Sequence, residues 1–509
     1  MILLLLLKLS GLFCLRFGMF TAFVLLPLYF LIQGWCLFRL CRMVILLSSA
    51  DWDSQDWKAI HYHVRKIQKR IAEAAKVKDW HKVRELQKLV FASYDCRVLA
   101  VHRVTCRQSI RTPGLDGRFW HSDSDKYAAV DSLKNLKEYA PQPFKRFLVP
   151  KDHDKTRMRP LSVPVIYDRA VQSLILIAVD PVVEVVADNH AYGFRRCRSA
   201  QDAIKDVVDS FGFDRENVWF LRTDVKECFD HLSHEWLLQN APIDKKLLHK
   251  ILTCGYVFHD EFFPTVEGMP QGGVLSPVMT TLVLSGFEKI VSRDFPSVHI
   301  VRFVDDFIFS GKSPEILNSV LDSFRAFLSS RGLSVSDAKT RIAHIAVGFD
   351  FIGWHFSRDS LGLCIRPSNQ SVDELKVRML SVIHHAGRWT CKQLILKLND
   401  IITGWGQYHA YLCNVEPFAA LDDWLQNELW QWALPRHPKH STKWVYLHYW
   451  RQCDDRRVFS SGDVLLLRFS EITTRVSKTL DLSKNPYIDV GYFRCREKER
   501  YCYTAKRRV

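Results

Sequence analysis

Paired cysteines are missing from this sequence, although it holds 14 cysteines among 509 residues. No Cys-x-x-Cys motif occurs, and Cys228, Cys254 and Cys364 lie within apolar segments. We therefore predict free core thiols, a reducing compartment and no structural zinc. Internal repeats and low-complexity linkers are missing too, and 48% of the residues are hydrophobic, which excludes a disordered chain.

The charge balance favours one sign. Lysine and arginine number 71 against 55 aspartates and glutamates, which gives a net charge of +16 and a pI near 9.2. Such a balance favours a polyanionic partner, which can be RNA, DNA or an anionic lipid surface. The length exceeds what a single core needs and predicts three or four modules.

The first fifty residues are unusually apolar. Phe17–Phe38 has no charged side chain, with Arg16 before it and Arg39 after it, and it is long enough to span a membrane. Two interpretations stay open: a membrane anchor or targeting segment, or translation upstream of a native start at Met43. Membrane association depends on this segment, and the free thiols favour the reducing interior of a cytoplasm or an organelle.

Two adjacent carboxylates stand at the centre of the most informative stretch. Val301–Ser310 reads VRFVDDFIFS, so two short apolar strands meet at Asp305 and Asp306. Neighbouring carboxylates on a buried scaffold repel each other, and a divalent cation between them removes that cost. The isolated dipeptide fits an ordinary Asp-Asp hairpin turn equally well.

A third carboxylate and a glycine-rich turn precede this stretch. Asn217–His231 predicts a strand that delivers Asp224 at its end, followed by a turn toward a helix that carries Phe229. Gly268–Pro277, GMPQGGVLSP, predicts a constrained turn before an apolar helix over Val278–Ile290. A glycine-rich helix entry lets the backbone approach a phosphate or a base pair closely.

Apolar residues at helical spacing mark both flanks of the acidic stretches. Trp57–Ile71 and Val83–Leu89 predict amphipathic helices with basic outer faces, and Tyr167–Ala187 predicts an apolar core helix. Phe147–Pro164 predicts a hairpin with four cations near its turn. Further helices are predicted over Ile316–Leu328, Leu375–His385, Cys391–Gly404 and Phe418–Leu434.

In their order and spacing, the acidic and glycine-rich motifs resemble the palm of a reverse transcriptase: Asp224 with Phe229, then Pro270-Gln271-Gly272, then Phe303-Val304-Asp305-Asp306. Three further segments resemble group II intron-encoded reverse transcriptases, also called maturases: Lys155–Arg169, Ala191–Asp202 and Ile402–Tyr408. The resemblance runs from about Asp51 to about Trp450. It implies an α+β right-hand polymerase, with fingers, an antiparallel palm sheet and an α-helical thumb or maturase domain.

The family pattern implies roles for individual residues. Catalysis is implied for Asp224, Asp305, Asp306 and Lys339, and the binding of two Mg²⁺ ions for Asp224, Val225, Asp305 and Asp306. Nucleotide binding is implied for Lys155, Arg159, Phe229 and Gln271, with Phe229 as the gate against the ribose 2′-hydroxyl. Nucleic-acid binding is implied for Arg195, Arg198, Gly353 and Trp405. The chain departs from the family at Phe303 and Val304, where most members have tyrosine and alanine.

Five regions follow from composition and resemblance. Residues 1–50 form the hydrophobic leader, 51–120 the N-terminal helical extension, 121–360 the fingers and palm, and 361–455 the thumb or maturase domain. Residues 456–509 are a basic tail, either a DNA-binding appendage or a frayed end.

The implied function is RNA-directed DNA synthesis, in which a primer 3′-hydroxyl attacks the α-phosphorus of a deoxynucleoside triphosphate. Implied partners are template RNA, group II intron RNA, a DNA primer or target and dNTPs, with assistance to intron splicing and mobility. Nothing resembles the C-terminal HNH endonuclease, with its paired cysteines, that many relatives carry. Two alternatives stay open: a splicing cofactor with little polymerase activity, and a domesticated reverse transcriptase used in defence or DNA repair. No oligomeric state is predicted.

Overall fold

The computed structural model describes residues 51–106, 112–151, 154–212, 216–412, 415–453, 456–472 and 479–501. The apolar segment Phe17–Phe38 and the candidate start at Met43 lie outside these ranges. Within them, each helix is too short or not apolar enough to cross a bilayer.

The helices and strands are numbered in chain order. The helices are α1 (Trp57–Lys76), α2 (Trp80–Ala92), α3 (Tyr94–Thr105), α4 (Asp123–Ser132), α5 (Ile166–Val186), α6 (Ala200–Gly212), α7 (His234–Asn240), α8 (Lys245–Leu252), α9 (Ser276–Val283), α10 (Phe287–Asp294), α11 (Pro314–Ser329), α12 (Asn369–His385), α13 (Cys391–His409), α14 (Val415–Ala433), α15 (Thr442–Tyr449) and α16 (Val490–Tyr501). The strands are β1 (Phe144–Lys151), β2 (Asp154–Val163), β3 (Ala191–Tyr192), β4 (Trp219–Asp224), β5 (Tyr256–Phe258), β6 (Glu261–Phe263), β7 (His299–Phe303), β8 (Asp306–Gly311), β9 (Arg341–His344), β10 (Phe349–Phe351), β11 (Trp354–Asp359), β12 (Gly362–Pro367), β13 (Trp450–Cys453), β14 (Arg456–Ser461) and β15 (Val464–Leu465).

A helical layer opens the described chain. Asp56 caps α1 by accepting a hydrogen bond from the Ala59 backbone N–H. Helices α1, α2 and α3 all pack against α5, most of whose side chains are buried. Inside that contact, Gln68 Nε2 donates to the Ile177 carbonyl oxygen at 3.0 Å. The helices predicted over residues 57–71, 83–89 and 167–187 are confirmed.

A five-stranded sheet in the order β3-β7-β8-β4-β9 carries both acidic stretches. β7 and β8 form an antiparallel hairpin in which Phe303 lies opposite Asp306, and β8 pairs antiparallel with β4, so Asp224 also lies opposite Asp306. Helix α11 packs on this sheet through Phe324, whose ring centroid lies 4.7 Å from that of Phe307. The predicted strands and the acidic turn between β7 and β8 are confirmed.

A second sheet, in the order β2-β1-β5-β6, contains the predicted cationic hairpin. β1 and β2 are antiparallel, with Val149 opposite Arg159, which confirms the backbone of the hairpin. The chain then enters the glycine-rich turn, where two helix predictions are wrong. Phe229 lies in a turn over residues 226–230, before α7 begins at His234. The helix predicted over residues 278–290 is split into α9 and α10, because Gly286 adopts φ +103° between them.

The C-terminal half combines a small sheet with a helical region. Sheet β10-β11-β12 crosses the boundary predicted at residue 360, because β12 pairs with β11. The helix predicted to end at Gly404 continues to His409, so Trp405 and Gly406 lie within α13. A Cβ on Gly406 would come within 2.3 Å of Ile472 Cδ1, so this glycine permits close packing inside the helix. Among the described cysteines, which are free thiols, Cys364 is exposed on β12 and does not belong to the core.

The region predicted as a basic tail is folded wherever the structure describes it. Strands β13, β14 and β15 form a sheet, and Phe459 of β14 is buried in the core of the helical region. Residues 479–497 return to the five-stranded sheet, where Leu480 and Phe493 join its core. Arg496 is buried and forms an ion pair with Asp202 of α6. The described part of the tail is therefore a structural element, and residues 502–509 lie outside the described chain.

Candidate active site

The turn between β7 and β8 places Asp305 and Asp306 beside Asp224. Asp224 is the last residue of β4 and pairs in register with Asp306, the first residue of β8. The Val225 N–H donates to the backbone carbonyl oxygen of Asp305 at 3.2 Å and so ties the turn to the end of β4. The fold therefore brings the three predicted carboxylates together at one edge of the sheet.

A strained residue precedes these aspartates. Val304 has φ +59°, a left-handed conformation that β-branched residues rarely adopt. Its N–H donates to the Tyr192 carbonyl oxygen at 3.0 Å. A Cβ on Gly193 would come within 2.6 Å of Val304 Cγ2. Glycine at position 193 therefore makes room for valine in the acidic turn between β7 and β8.

Two of the three carboxylates have a cationic partner. Lys339 Nζ lies 2.6 Å from Asp224 Oδ2, and Arg222 Nη2 lies 3.2 Å from Asp306 Oδ2. Asp305 has no salt bridge within the described ranges. Burial, followed by the charge of Asp224, raises the pKa of Asp305, and burial raises the pKa of Asp306 to about 6 despite Arg222. The site therefore keeps negative charge that its own cations do not compensate.

This donor set fits a hard divalent cation. Carboxylate oxygens are the ligands that Mg²⁺ prefers, and uncompensated negative charge favours its binding. In the described part of the chain, the oxygen atoms of Asp224, Asp305 and Asp306 do not all lie within 4.8 Å of one another. Lys339 contacts one oxygen of Asp224, Oδ2, so an ion would bind Asp224 through Oδ1 or compete with that ammonium for Oδ2.

The glycine-rich loop packs between the Phe229 turn and β2. The Met269 N–H donates to the Phe229 carbonyl oxygen, and the Ser162 N–H donates to the Gln271 carbonyl oxygen, both at 2.7 Å. Gly272 has φ +108°, and a Cβ there would come within 2.5 Å of the Ser162 carbonyl oxygen, so glycine is required. Phe229 and Gln271 are both partly exposed, which leaves their side chains accessible to a ligand.

The predicted triphosphate cations lie on β2. Arg159 is exposed, and its charge acts on the catalytic turn, where it opposes the effect of burial on the pKa of Asp305. Lys155 also belongs to β2, but its side chain lies outside the described residues. Arg159 is therefore within electrostatic reach of the carboxylates.

Arg195 and Arg198 do not face solvent. Arg195 forms two hydrogen bonds with the Glu184 carboxylate of α5, at 2.7 and 3.0 Å, and Arg198 Nε lies 3.8 Å from the same group. Both side chains are at most 4% exposed, and both also donate to the Ala191 carbonyl oxygen. Their assignment as nucleic-acid contacts is therefore corrected, because both guanidinium groups are used inside the fold.

Gly353 and Trp405 lie where β11 meets the helical region. Ile352 and Gly353 have φ +40° and +84° and form the two-residue turn of the β10–β11 hairpin. Tyr408 donates its hydroxyl to the Ile352 carbonyl oxygen at 2.6 Å. Trp405 is partly buried and donates from Nε1 to Ser371 Oγ at 3.1 Å. The structure gives Trp405 a packing role, and contact of Gly353 with nucleic acid stays a prediction.

Sequence reasoning missed Arg222 and Gly193. Arg222 stands two residues before Asp224 on β4, and strand alternation puts these two side chains on the same face. That spacing could have identified Arg222 as a neighbour of the paired aspartates. The contact between Gly193 and Val304 has no local signal, because the two residues meet only in the folded sheet.

Three known families match parts of this chain. Residues 149–356 match the family described as reverse transcriptase (RNA-dependent DNA polymerase), residues 52–133 match the N-terminal domain of reverse transcriptase, and residues 372–450 match the group II intron, maturase-specific domain. The first match contains Asp224, Asp305 and Asp306 together with Gln271.

Individual relatives agree with these families. The group II intron-encoded protein LtrA of Lactococcus lactis subsp. cremoris is 35% identical over 167 residues, which are 31% of this chain and 27% of LtrA, so the chain spans about a quarter of that relative. Maturase-like protein 1 of Euglena gracilis is 24% identical over 357 residues, or 68% of this chain and 74% of that protein. A solved structure of telomerase from Candida albicans with a fragment of telomeric RNA has a TM-score of 0.36 at 14% identity, covering 61% of this chain and 65% of that one.

The family matches cover the N-terminal helical layer, the sheet with its three carboxylates and the C-terminal helical region. The fold is accordingly an α+β right-hand polymerase with fingers, palm and thumb. This chain belongs to the family of group II intron-encoded reverse transcriptases and maturases.

Proposed function

We propose that this protein is an RNA-directed DNA polymerase that copies RNA into DNA and assists the splicing and mobility of a group II intron RNA. The observation that carries the proposal is the strand register that sets Asp224 opposite Asp306, with Asp305 in the adjoining turn. Its substrates would be dNTPs, its template RNA, and its primer the 3′ end of a DNA strand. The net charge of +16 supports binding to such polyanions.

Divalent metal ions are the usual cofactors of reverse transcriptases, and two Mg²⁺ ions are proposed here. Asp224 and Asp305 would hold them, with Asp306 supporting, and Val225 would contribute its backbone carbonyl oxygen, since its apolar side chain has no ligand atom. When bound, these ions would stabilise the charge on the attacking and departing oxygens of phosphoryl transfer.

Lysine and arginine side chains of this chain would interact with the triphosphate. Lys339 is exposed and its ammonium lies beside Asp224, so it is placed to protonate the departing pyrophosphate. Arg159, exposed on β2, would neutralise phosphate charge as it builds up in the transition state. Lys155 is proposed for the same task on the basis of the family pattern.

The sugar and base would meet the glycine-rich loop. Phe229 and Gln271 are joined to this loop and to β2 by backbone hydrogen bonds, which hold both side chains in position. The Phe229 ring would occupy the space that a ribose 2′-hydroxyl needs, and Gln271 would contact the incoming nucleotide. This arrangement favours dNTPs over ribonucleotides.

The match of residues 372–450 to the maturase-specific domain supports the second role, in which the thumb binds intron RNA. The alternative of a splicing cofactor with little polymerase activity is less favoured, since the three aspartates are present and assembled. Domesticated use in defence or DNA repair remains the other alternative, and Phe303 and Val304 are the departures that would fit it. A reducing interior, cytoplasmic or organellar, suits the free thiols.

Primer extension on an RNA template with Mg²⁺ and dNTPs tests the proposal. We expect extension by the full chain and by a chain that starts at Met43, and its loss in Asp305→Ala. Asp322→Ala, which removes a carboxylate from the exposed face of α11, is the matched control and should leave extension unchanged. A folded, RNA-binding protein that fails to extend the primer would overturn the polymerase and leave the splicing cofactor.

A further inference from the structure

A second cluster of ionisable side chains lies beside β7, separate from Asp224, Asp305 and Asp306. It consists of His190 just before β3, Asp206 in α6, and His299 at the start of β7. His190 Nδ1 lies 2.7 Å from Asp206 Oδ2, and His299 Nε2 lies 2.9 Å from Asp206 Oδ1. One potential ligand atom from each residue falls within 4.8 Å of the other two.

The surroundings hold this cluster in place. The Tyr192 hydroxyl donates to Asp206 Oδ2 at 3.0 Å, and the His190 backbone N–H donates to a Glu288 carboxylate oxygen at 3.0 Å. Burial raises the pKa of Asp206, but hydrogen bonds with His190 and His299 outweigh this effect and lower the pKa to about 2. The Asp206 carboxylate is therefore ionised and only 10% exposed, and the Tyr192 hydroxyl, which does not belong to the cluster, helps to orient it.

The cluster borders a cavity of about 510 Å³. Lys205, Asp209 and Asn217 line one part of the cavity, and Leu480 and Leu482 of the C-terminal segment line another. Both histidines are about one quarter to one third exposed, so an ion can reach them through this cavity. The cavity also has room for water molecules that would complete a coordination shell.

We propose that His190, Asp206 and His299 bind one divalent transition-metal ion of the zinc type, in a structural site separate from the catalytic carboxylates. Two imidazoles and one carboxylate suit zinc, whereas Mg²⁺ prefers oxygen ligands alone. Ligand atoms around one zinc ion lie roughly 3–3.5 Å apart, so both histidine–aspartate contacts would lengthen by about half an ångström. The four residue steps of β7 from His299 to Phe303 separate the site from the catalytic turn by about 13 Å.

Such an ion would join three elements that otherwise meet through hydrogen bonds. β7 leads directly into the catalytic turn, β3 supports that turn, and α6 carries Asp202, which holds the C-terminal segment through Arg496. The missing Cys-x-x-Cys pairs had suggested that structural zinc is absent. Two imidazoles and one carboxylate from three separate parts of the chain carry no such sequence signal.

Metal titration of the chelator-treated protein tests the site. With Zn²⁺ alone as the probe, we expect about one equivalent to bind and to raise the unfolding temperature. With Co²⁺ alone, visible absorption bands should report bound imidazole and carboxylate. His299→Gln should weaken Zn²⁺ binding by at least about 100-fold, and Tyr192→Phe, which removes only the hydroxyl on Asp206, by about 10-fold.

Three control variants separate this site from others. His63→Gln removes an exposed histidine that pairs with a single aspartate, Asp95, at 2.8 Å, and should leave the titration unchanged. His440→Gln removes a histidine whose ring centroid lies 5.9 Å from that of His437 in the C-terminal helical region, and Asp305→Ala removes a carboxylate of the candidate active site; neither should affect Zn²⁺ binding at His190, Asp206 and His299.

Absence of Zn²⁺ and Co²⁺ binding in the folded wild-type protein would overturn the proposal and leave a hydrogen-bonded His-Asp-His network. Binding that survives both His299→Gln and Tyr192→Phe, or that disappears in His440→Gln, would overturn it as well. Metal-free His299→Gln and metal-free wild type should unfold at similar temperatures. If their unfolding temperatures differ, the Tyr192→Phe titration decides whether His190, Asp206 and His299 bind the metal, because that substitution removes only one hydroxyl from a buried ring.

Discussion

At the scale of single residues, Arg222 gives the paired aspartates different surroundings. Its guanidinium contacts Asp306 at 3.2 Å, whereas Asp305 has no salt bridge in the described part of the chain. A carboxylate that keeps a resident guanidinium has less uncompensated charge to offer a metal ion. We therefore expect activity to depend on Asp305 more than on Asp306.

Replacing Arg222 with glutamine should lower primer extension about 10- to 100-fold, because it leaves the Asp306 carboxylate unpaired beside two others. Asp306→Asn in the same chain should restore most of the activity, since an amide needs no cationic partner. Extension rates of the four combinations across a Mg²⁺ series measure this coupling. Arg222→Lys should restore part of the rate. The opposite result would be that the losses in Arg222→Gln and Asp306→Asn add, and that Asp306→Asn is as inactive as Asp305→Asn. Asp306 would then itself be a principal metal ligand.

Phe229→Ala should admit ribonucleotides. Removing the ring vacates the space proposed for a 2′-hydroxyl, so the ratio of kcat/KM for a ribonucleotide to that for a dNTP should rise at least about tenfold. Single-nucleotide incorporation with each substrate measures the ratio. Phe263→Ala, a partly exposed phenylalanine in β6, is the control and should leave it unchanged. An unchanged ratio in Phe229→Ala would remove this residue from the nucleotide site.

At the scale of elements, the turn between β7 and β8 packs closely against Gly193, the residue that follows β3. A methyl group on Gly193 would overlap Val304 Cγ2, and Gly193 also has φ +77°. Gly193→Ala should therefore shift the turn and reduce extension about tenfold or more. Val304→Ala in the same chain should recover part of the loss, because it removes the overlapping methyl group. Gly117→Ala has a similar φ but no neighbour within 4 Å, and it should affect only stability.

The junction between the β10–β11 hairpin and α13 should be sensitive to acid. Burial lowers the pKa of His409 to about 3, and its Nδ1 has no hydrogen-bond partner among the described residues. Because the unfolded histidine titrates near 6.5, stability that is present above pH 6.5 is lost as the pH falls toward 3. The loss between pH 6.5 and pH 5 should be about 2 kcal/mol.

Denaturant unfolding at pH 7 and pH 5 measures this dependence. His409→Gln should reduce the difference in unfolding free energy between the two pH values, whereas exposed His385→Gln should not. Equal pH dependence in both variants would mean that His409 takes up no proton on unfolding in this range.

At the scale of the whole molecule, residues 479–497 belong to the core of the palm. Arg496→Gln should lower the free energy of unfolding by about 3–5 kcal/mol, because the buried Asp202 carboxylate would lose its ion pair with Arg496. Arg494 lies on the same helix but is exposed, so Arg494→Gln should change stability by less than about 0.5 kcal/mol. Denaturation curves compare the two. If Arg496→Gln and Arg494→Gln instead lost DNA affinity equally and kept the stability of the wild type, the prediction of a DNA-binding tail would be supported.

Local periodicity located most elements around the site. Apolar runs in the sequence predicted the strands that carry Asp224 and the paired aspartates. They also predicted helix α5, because long apolar runs are buried in most folds. The role of each catalytic residue came from resemblance to a family, since spacing alone fits an ordinary hairpin. Phe229 was misplaced onto a helix because element boundaries depend on the hydrogen bonds of the neighbouring loop.

The sequence alone did not predict contacts between side chains of separate elements. Arg195 and Arg198 looked like a basic surface because their partner, Glu184, lies on another element. The helix predicted to end at Gly404 continues to His409, and Gly406 within it leaves room for Ile472. In both cases the deciding neighbour lies on another element, so no pattern within the segment itself reports it.

The return of the C-terminal segment to the palm has a consequence for how the protein is made. Asp202 and its partner Arg496 are 294 residues apart, so a ribosome moving at about 5–20 residues per second adds Arg496 about 15–60 seconds after Asp202. Late in that interval, once β9 has been synthesised, the palm has the strands that carry its aspartates but still lacks Leu480 and Phe493 from its core. Nascent chains stalled before residue 479 should therefore be cleaved by protease within the palm, and chains released after residue 501 should resist.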